Sequence, residues 1–174
     1  MFIDLSNVFQ NASSDIHQQY TAELTKACYR GQEFAVLEKS PFTLDCVYEQ
    51  DGRARIRAEG CIVLDMYCDR CLKPVPEKLD IHVERTVYAP DCVPADEAED
   101  NLEIMDGYQL NMERLIFNEI LMNWPAKILC RPDCRGLCKV CGKDLNLGDC
   151  GCDDFVPDPR MAVIKDIINA DKEV

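Results

Sequence analysis

Between Cys130 and Cys152 the chain reads CRPDCRGLCKVCGKDLNLGDCGC, a density of cysteine that no hydrophobic core requires. Thiolates are strong zinc ligands. The spacing Cys138-Lys139-Val140-Cys141 lets two sulfurs of one tight turn reach the same tetrahedral ion. Gly142, directly after the second sulfur, suits a backbone that folds back with positive φ. Asn146, Gly148, Asp149 and Gly151 are turn formers that can return Cys150 and Cys152 to that ion. The competing readings are a disulfide cluster or a set of free thiols.

A second Cys-x2-Cys, Cys68-Asp69-Arg70-Cys71, lies between two strand-like runs and marks a hairpin turn. A redox dithiol would favour a helix N-terminus for its first cysteine, so half of a zinc site fits these flanks better. The simplest partition gives Cys138, Cys141, Cys150 and Cys152 to one ion and Cys68, Cys71, Cys130 and Cys134 to another. A single ion with surplus thiols also satisfies the sequence, so the expectation is one or two structural zinc ions.

The remaining cysteines lack such spacing. Cys28 reads as a half-buried thiol, Cys46 and Cys61 as small apolar residues of strands, and Cys92 as a bystander. His17 and His82 stand apart from every cysteine pair and read as solvated surface.

At 174 residues the chain can build one real core with a small metal-dependent lobe. Alternation identifies three strands. Phe42, Leu44, Cys46 and Tyr48 share one face of the first, and Asp51-Gly52 signals a hairpin turn. Ala54, Ile56, Ala58, Ile62, Leu64 and Met66 line the second; Leu79, Ile81, Val83 and Val87 line the third. MFIDLSNVF begins with a short alternating run that could be a strand, Gln10 to Gln19 is a polar segment, and the pattern from there to Lys39 is weak. Asp91–Asp106 is acidic and reads as a surface loop. Asn111 is a candidate N-cap for a helix with Met112, Leu115, Ile116, Ile120 and Leu121 on one face, ending near Trp124-Pro125. Asp158-Pro159 opens a terminal amphipathic helix carrying Met161, Ile164, Ile167 and Ile168. The expected class is α+β: an antiparallel sheet or partial barrel with a packed helix over residues 1–129, then a cysteine-rich zinc-knuckle lobe with a terminal helix over 130–174.

The formal net charge is −13, from 19 Lys+Arg against 32 Asp+Glu, and each zinc tetrathiolate makes it more negative. Such a molecule resists unaided binding to a phosphate backbone and favours a basic protein partner. Lys127, Arg131, Arg135, Lys139 and Lys143 nevertheless form a basic island around the cysteines. They are candidate nucleic-acid contacts, or they offset nearby thiolates and carboxylates. MFIDLSNVFQ has no signal-peptide pattern and no stretch approaches a membrane span, so a cytoplasmic location and metal binding under reducing conditions are expected.

Taken together, Cys68-Asp69-Arg70-Cys71-Leu72 after a strand, the helix ending in Trp124-Pro125, the run Cys134, Gly136-Leu137-Cys138, Cys141-Gly142 and Leu145-Asn146, then Cys150-x-Cys152 and Asp158-Pro159-Arg160, resemble the YceD-like family of large-subunit ribosomal RNA accumulation proteins. The resemblance covers about residues 40 to 170. Lys139 departs from the proline that many cysteine-rich members carry there. The resemblance implies a cytoplasmic accessory factor in ribosome biogenesis with no established catalytic residue, and zinc as a stabilising feature of this branch. All-cysteine sites are generally closed and structural, and the sequence offers no nucleophile set or phosphate loop, which also points to a non-enzyme. The expected partners are pre-ribosomal RNA, a basic ribosomal protein or an assembly factor. A thiol redox or metal-handling protein using the Cys-x2-Cys pairs is the alternative class.

Overall fold

The computed structural model describes residues 2–10 and 14–152. They fall into two compact units: the chain up to Tyr67 together with Pro74–Ile128, and Cys68–Lys73 together with the chain from Leu129 onward. The terminal helix expected from Asp158 lies outside the described residues.

The first unit is built on one long hairpin. Strands β6 (Arg53–Tyr67) and β7 (Pro74–Tyr88) pair antiparallel along their whole length, from Arg53 opposite Tyr88 to Tyr67 opposite Pro74. Period-2 patterning decides their faces: Ala54, Ile56, Ala58, Ile62, Leu64 and Met66 are buried, as are Leu79, Ile81, Val83 and Val87. The free edge of β6 is shared. Its first half takes β5 (Phe42–Tyr48) and its second half takes β4 (Gln32–Lys39). These two run head to tail as one strand interrupted at Ser40-Pro41, where proline removes a ladder donor.

The interruption is repaired locally. Ser40 N donates to Cys61 O at 3.0 Å, and Cys61 N donates to Ser40 Oγ at 2.8 Å, so a hydroxyl takes the place of a backbone acceptor. Opposite it, Gly60 leaves room for the buried ring of Phe42; a Cβ there would come within 2.5 Å of Phe42 Cδ1. Strand β2 (Ile16–Tyr20) pairs with β5 and β3 (Lys26–Tyr29) with β4. Among the described residues β7 pairs with β6 alone, so the sheet they form does not close into a barrel. The turns Arg30-Gly31 and Asp51-Gly52 carry paired positive φ values, as tight hairpin turns require.

β2 falls in the segment read as polar, and β3 and β4 in the weak stretch before Lys39, so none of the three was legible. They are largely exposed edge or half-length strands and bury too few residues to alternate clearly.

A small sheet orders β1 (Phe2–Asp4), β9 (Gln109–Asn111) and β8 (Met105–Asp106), with helix α1 (Ser6–Gln10) after β1. Helix α3 (Met112–Met122) follows β9 and packs on β7 through Met112, Leu115, Ile116 and Ile120, all buried. Asn111 caps it as expected, its Oδ1 accepting from Arg114 N at 3.1 Å. Beyond the helix, Trp124 stacks on Tyr29 at 4.4 Å and meets Phe34 edge-on at 5.0 Å.

The acidic stretch is not all loop: Ala98–Ile104 forms helix α2. Asn101 is buried against the end of β7, accepting from Tyr88 N at 2.9 Å, while Ile104 and Met105 enter the core. A few well-placed anchors outweigh the polar composition of the segment. Cys28 also differs from expectation, since it is exposed.

Candidate metal centres

The second unit brings eight cysteines into two groups of four. Cys68, Cys71, Cys130 and Cys134 form one, and Cys138, Cys141, Cys150 and Cys152 the other; within each group the sulfurs lie within 4.8 Å of one another. Cys68 Sγ is 3.8 Å from Cys134 Sγ, and Cys71 Sγ is 3.5 Å from Cys130 Sγ. A tetrahedron of sulfurs about 2.3 Å from a central ion has edges of about 3.8 Å. A disulfide needs about 2.05 Å. None of the eight is in a disulfide, and their spacing suits a tetrahedral ion.

Two copies of one turn supply the first pair of ligands in each group. In the first, Cys68 N donates to Lys73 O at 2.8 Å and Leu72 N to Cys68 O at 2.9 Å; in the second, Cys138 N donates to Lys143 O at 2.8 Å and Gly142 N to Cys138 O at 2.9 Å. The residue after the second cysteine has positive φ in both, +72° at Gly142 and +58° at Leu72. Glycine takes that conformation freely, whereas leucine does so at a steric cost.

These turns aim backbone N–H groups at the leading sulfur. Burial pushes the Cys68 thiol up, but N–H groups of Cys130, Cys71 and Arg70 outweigh it and hold the thiol at about 6. Cys141 and Val140 N–H groups hold Cys138 at about 7. The trailing thiols share the remaining protons: hydrogen bonding with Cys71 pushes Cys130 up to about 12, and Cys141 does the same to Cys152. A bound dication removes this competition by letting all four sulfurs ionise.

The chain from Leu137 to Leu147 holds the groups in place. Gly136, φ +79°, passes so close to Arg70 that a Cβ would meet Arg70 O at 2.9 Å. Leu137 N donates to Arg70 O at 3.1 Å, and Arg70 Nη1 donates to Cys134 O at 2.6 Å. Lys73 forms an ion pair with Asp144 at 2.8 Å. That cation, together with Asn146 N, holds the Asp144 carboxyl down at about 2. Arg70, Lys73, Asp144 and Asn146 were not singled out as supports by sequence; the recurrence of Lys five residues after each leading cysteine was the available signal.

The basic island is divided. Lys127 belongs to the first unit; Arg131, Arg135, Lys139 and Lys143 belong to the second. Arg131 pairs with Asp133 at 3.4 Å and donates to Asn146 Oδ1 at 2.8 Å; Arg135 pairs with Asp149 at 2.5 Å; Lys143 donates to Asp149 O at 3.0 Å. Lys127 and Lys139 are exposed and make no ion pair among the described residues. In the first unit, charge also gathers over a depression of about 310 Å³ lined by His17, Asp45, Val47, Glu49, Arg55 and Arg57. There His17 meets Asp45, Arg55 meets Glu49, and Arg57 meets Glu84 beyond the lining, so the charges answer one another.

A profile of the family described as large ribosomal RNA subunit accumulation protein YceD matches residues 56–168. Uncharacterized proteins of Mycobacterium tuberculosis (strain H37Rv) and Mycobacterium bovis are each 29% identical over 108 residues, which is 61% of this chain and 51% of the relative. The chain thus spans about half the length of the curated relatives it matches. No solved structure matches it. No helix among the described residues is long and apolar enough to cross a membrane.

Proposed function

The chain belongs to the family of large ribosomal RNA subunit accumulation proteins, and on that premise we propose a non-enzymatic accessory factor that binds a basic ribosomal protein or assembly factor, its second unit ordered by two zinc ions. The choice of partner is carried by one observation: Arg70, Lys73, Arg131, Arg135 and Lys143 are engaged inside the cysteine lobe. Four thiolates around a divalent ion leave a net charge of about −2 at each site, which those cations offset. Each of these five already has a partner within the lobe that a phosphate would have to displace, which leaves Lys127 and Lys139 as the members of the island that are exposed without an ion pair among the described residues.

The rest of the charge points the same way. The net charge is −13, and between Arg85 and Arg114 there is no Lys or Arg, while Asp91, Asp96, Glu97, Glu99, Asp100, Glu103, Asp106 and Glu113 fall in that interval. A phosphate backbone is repelled by such a field and a basic protein is attracted. The choice of zinc rests on the all-sulfur donor sets, four thiols in each group, which suit its tetrahedral preference. Zinc bound by four thiolates has no open position and supplies folding energy. The described site residues accordingly act as scaffold, and the proposed location is the cytoplasm.

Affinity isolation of the full chain from growing cells, with and without ribonuclease, tests the reading. A basic protein should remain bound after ribonuclease and leave as salt is raised, and Arg131→Ala with Arg135→Ala should not change its capture. Direct binding of pre-ribosomal RNA by the purified chain, falling steeply with salt and weakened by that double substitution, would overturn it in favour of an RNA contact.

A further inference from the structure

Asn146 sits in the loop that joins Cys141 to Cys150, and so belongs by sequence to the second cysteine group. Its side chain serves the first. Nδ2 donates to Cys134 Sγ at 3.4 Å and to Asp144 Oδ1 at 2.7 Å, while Oδ1 accepts from Arg135 N and from Arg131 Nη2, both at 2.8 Å. Both oxygen partners are donors and both nitrogen partners are acceptors, so the network fixes which way the amide points. All of its hydrogen-bonding capacity is used.

This loop has other ties to the first group. Asp144, which accepts from Asn146 N at 2.9 Å, pairs with Lys73 of the first turn. Leu145 N donates to Gly136 O at 2.9 Å, and Gly136 lies against Arg70 between the first pair of cysteines. Closing the 141–150 loop around the second ion therefore places the donor that the first ion's ligand uses.

We propose that Asn146 is a positioning residue that couples the two metal sites, so that each ion is held more tightly when the other is bound. The proposal rests on the reading that both groups of four cysteines hold an ion. A hydrogen bond to a ligating sulfur stabilises the thiolate and fixes its direction, and loss of such outer contacts commonly costs 10- to 100-fold in metal affinity. Coupling of binding free energies is reciprocal: if the second ion strengthens the first, the first strengthens the second by the same factor.

The test titrates the full reduced chain with Co²⁺, whose charge-transfer and d–d bands report a tetrathiolate site, against a chromogenic chelator. Wild type should bind two ions. Asn146→Ala removes the donor to Cys134 without adding charge; it should still take both ions, with first-site affinity reduced at least tenfold. It should also shift the first site's thiolate-to-cobalt band to lower energy, because the sulfur loses its N–H partner. Emptying the second site with Cys141→Ser and Cys152→Ser should weaken the first, and emptying the first with Cys71→Ser and Cys130→Ser should weaken the second by the same factor. Two ions in wild type, with each single-site variant retaining wild-type affinity within twofold, would overturn the coupling and leave the metal reading intact. No tetrathiolate bands in wild type would overturn both.

Discussion

Cys68 Sγ and Cys134 Sγ approach to 3.8 Å across 66 residues of sequence. That distance is the edge of a tetrahedral tetrathiolate and far from a disulfide. It brings the turn of a strand hairpin and the cysteine-rich segment together into a group of four sulfurs that neither stretch has alone.

Two ions per chain are the expected stoichiometry. Native mass spectrometry of the reduced full chain should show a mass two zinc ions above the polypeptide. Cys68→Ser with Cys134→Ser should remove one ion, and Cys138→Ser with Cys150→Ser should remove the other. One ion in wild type would contradict the reading that each group of four sulfurs holds its own ion.

Acid should release the metal and loosen the lobe. The Cys68 thiol lies at about 6 against an ordinary 9.0. For an acidic group whose folded pKa is depressed, the stabilisation is complete above the ordinary pKa and is lost as pH falls through the folded one. Metal binding extends this dependence downward, because protons compete for the same sulfurs. Hydrogen exchange should show residues 68–73 and 130–152 losing protection on chelation or on lowering pH from 7 to about 5, while the β6–β7 ladder keeps its own. A lobe that stays protected without metal would refute a structural role for the ions.

Gly60→Ala should destabilise the first unit by about 1–3 kcal/mol, the usual cost of overpacking. The added Cβ would sit 2.5 Å from the ring of Phe42, which is fully buried. Urea unfolding followed by far-ultraviolet circular dichroism measures the effect. A change below about 0.5 kcal/mol would mean that Phe42 moves aside easily.

The two knuckle turns should respond in opposite directions. Gly142 and Leu72 occupy equivalent positions with φ of +72° and +58°. Gly142→Ala introduces the strain that Leu72 already bears, and should cost about 1 kcal/mol. Leu72→Asn relieves it, since asparagine tolerates this region, and should stabilise the metal-loaded lobe by about 0.5 kcal/mol. Leu72 is 65% exposed, so little packing is lost. Thermal unfolding of the zinc-loaded proteins compares them, and destabilisation by Leu72→Asn would show that the leucine makes a contact worth more than its strain.

The sequence by itself determined what depends on local pattern. Alternation over Arg53–Tyr67 and Pro74–Tyr88 sorted side chains to the buried face, because a strand's period of two leaves no choice once one face is apolar. Asn111 announced its helix, since an N-cap acts over three residues. The Cys-x2-Cys spacing announced two similar turns, and counting sulfurs in fours gave the two groups of cysteines that the structure brings together. Tertiary structure decided the rest. Whether β4 and β5 share one edge of β6 depends on Gly60 yielding space to Phe42, a contact no periodicity encodes. Whether Ala98–Ile104 is helix or loop depends on Asn101 finding Tyr88. The basic residues near the cysteines left two readings open, phosphate contacts or local neutralisation, because sequence counts charges without their partners; in the folded lobe Arg131 meets Asp133 and Arg135 meets Asp149, while Lys127 and Lys139 make no ion pair among the described residues. Asn146, visible only as a turn former, reaches the other cysteine group because folding sets its amide beside a sulfur 12 residues away. Period and spacing are properties of neighbouring residues, while close approach and charge pairing are created when distant segments share one volume.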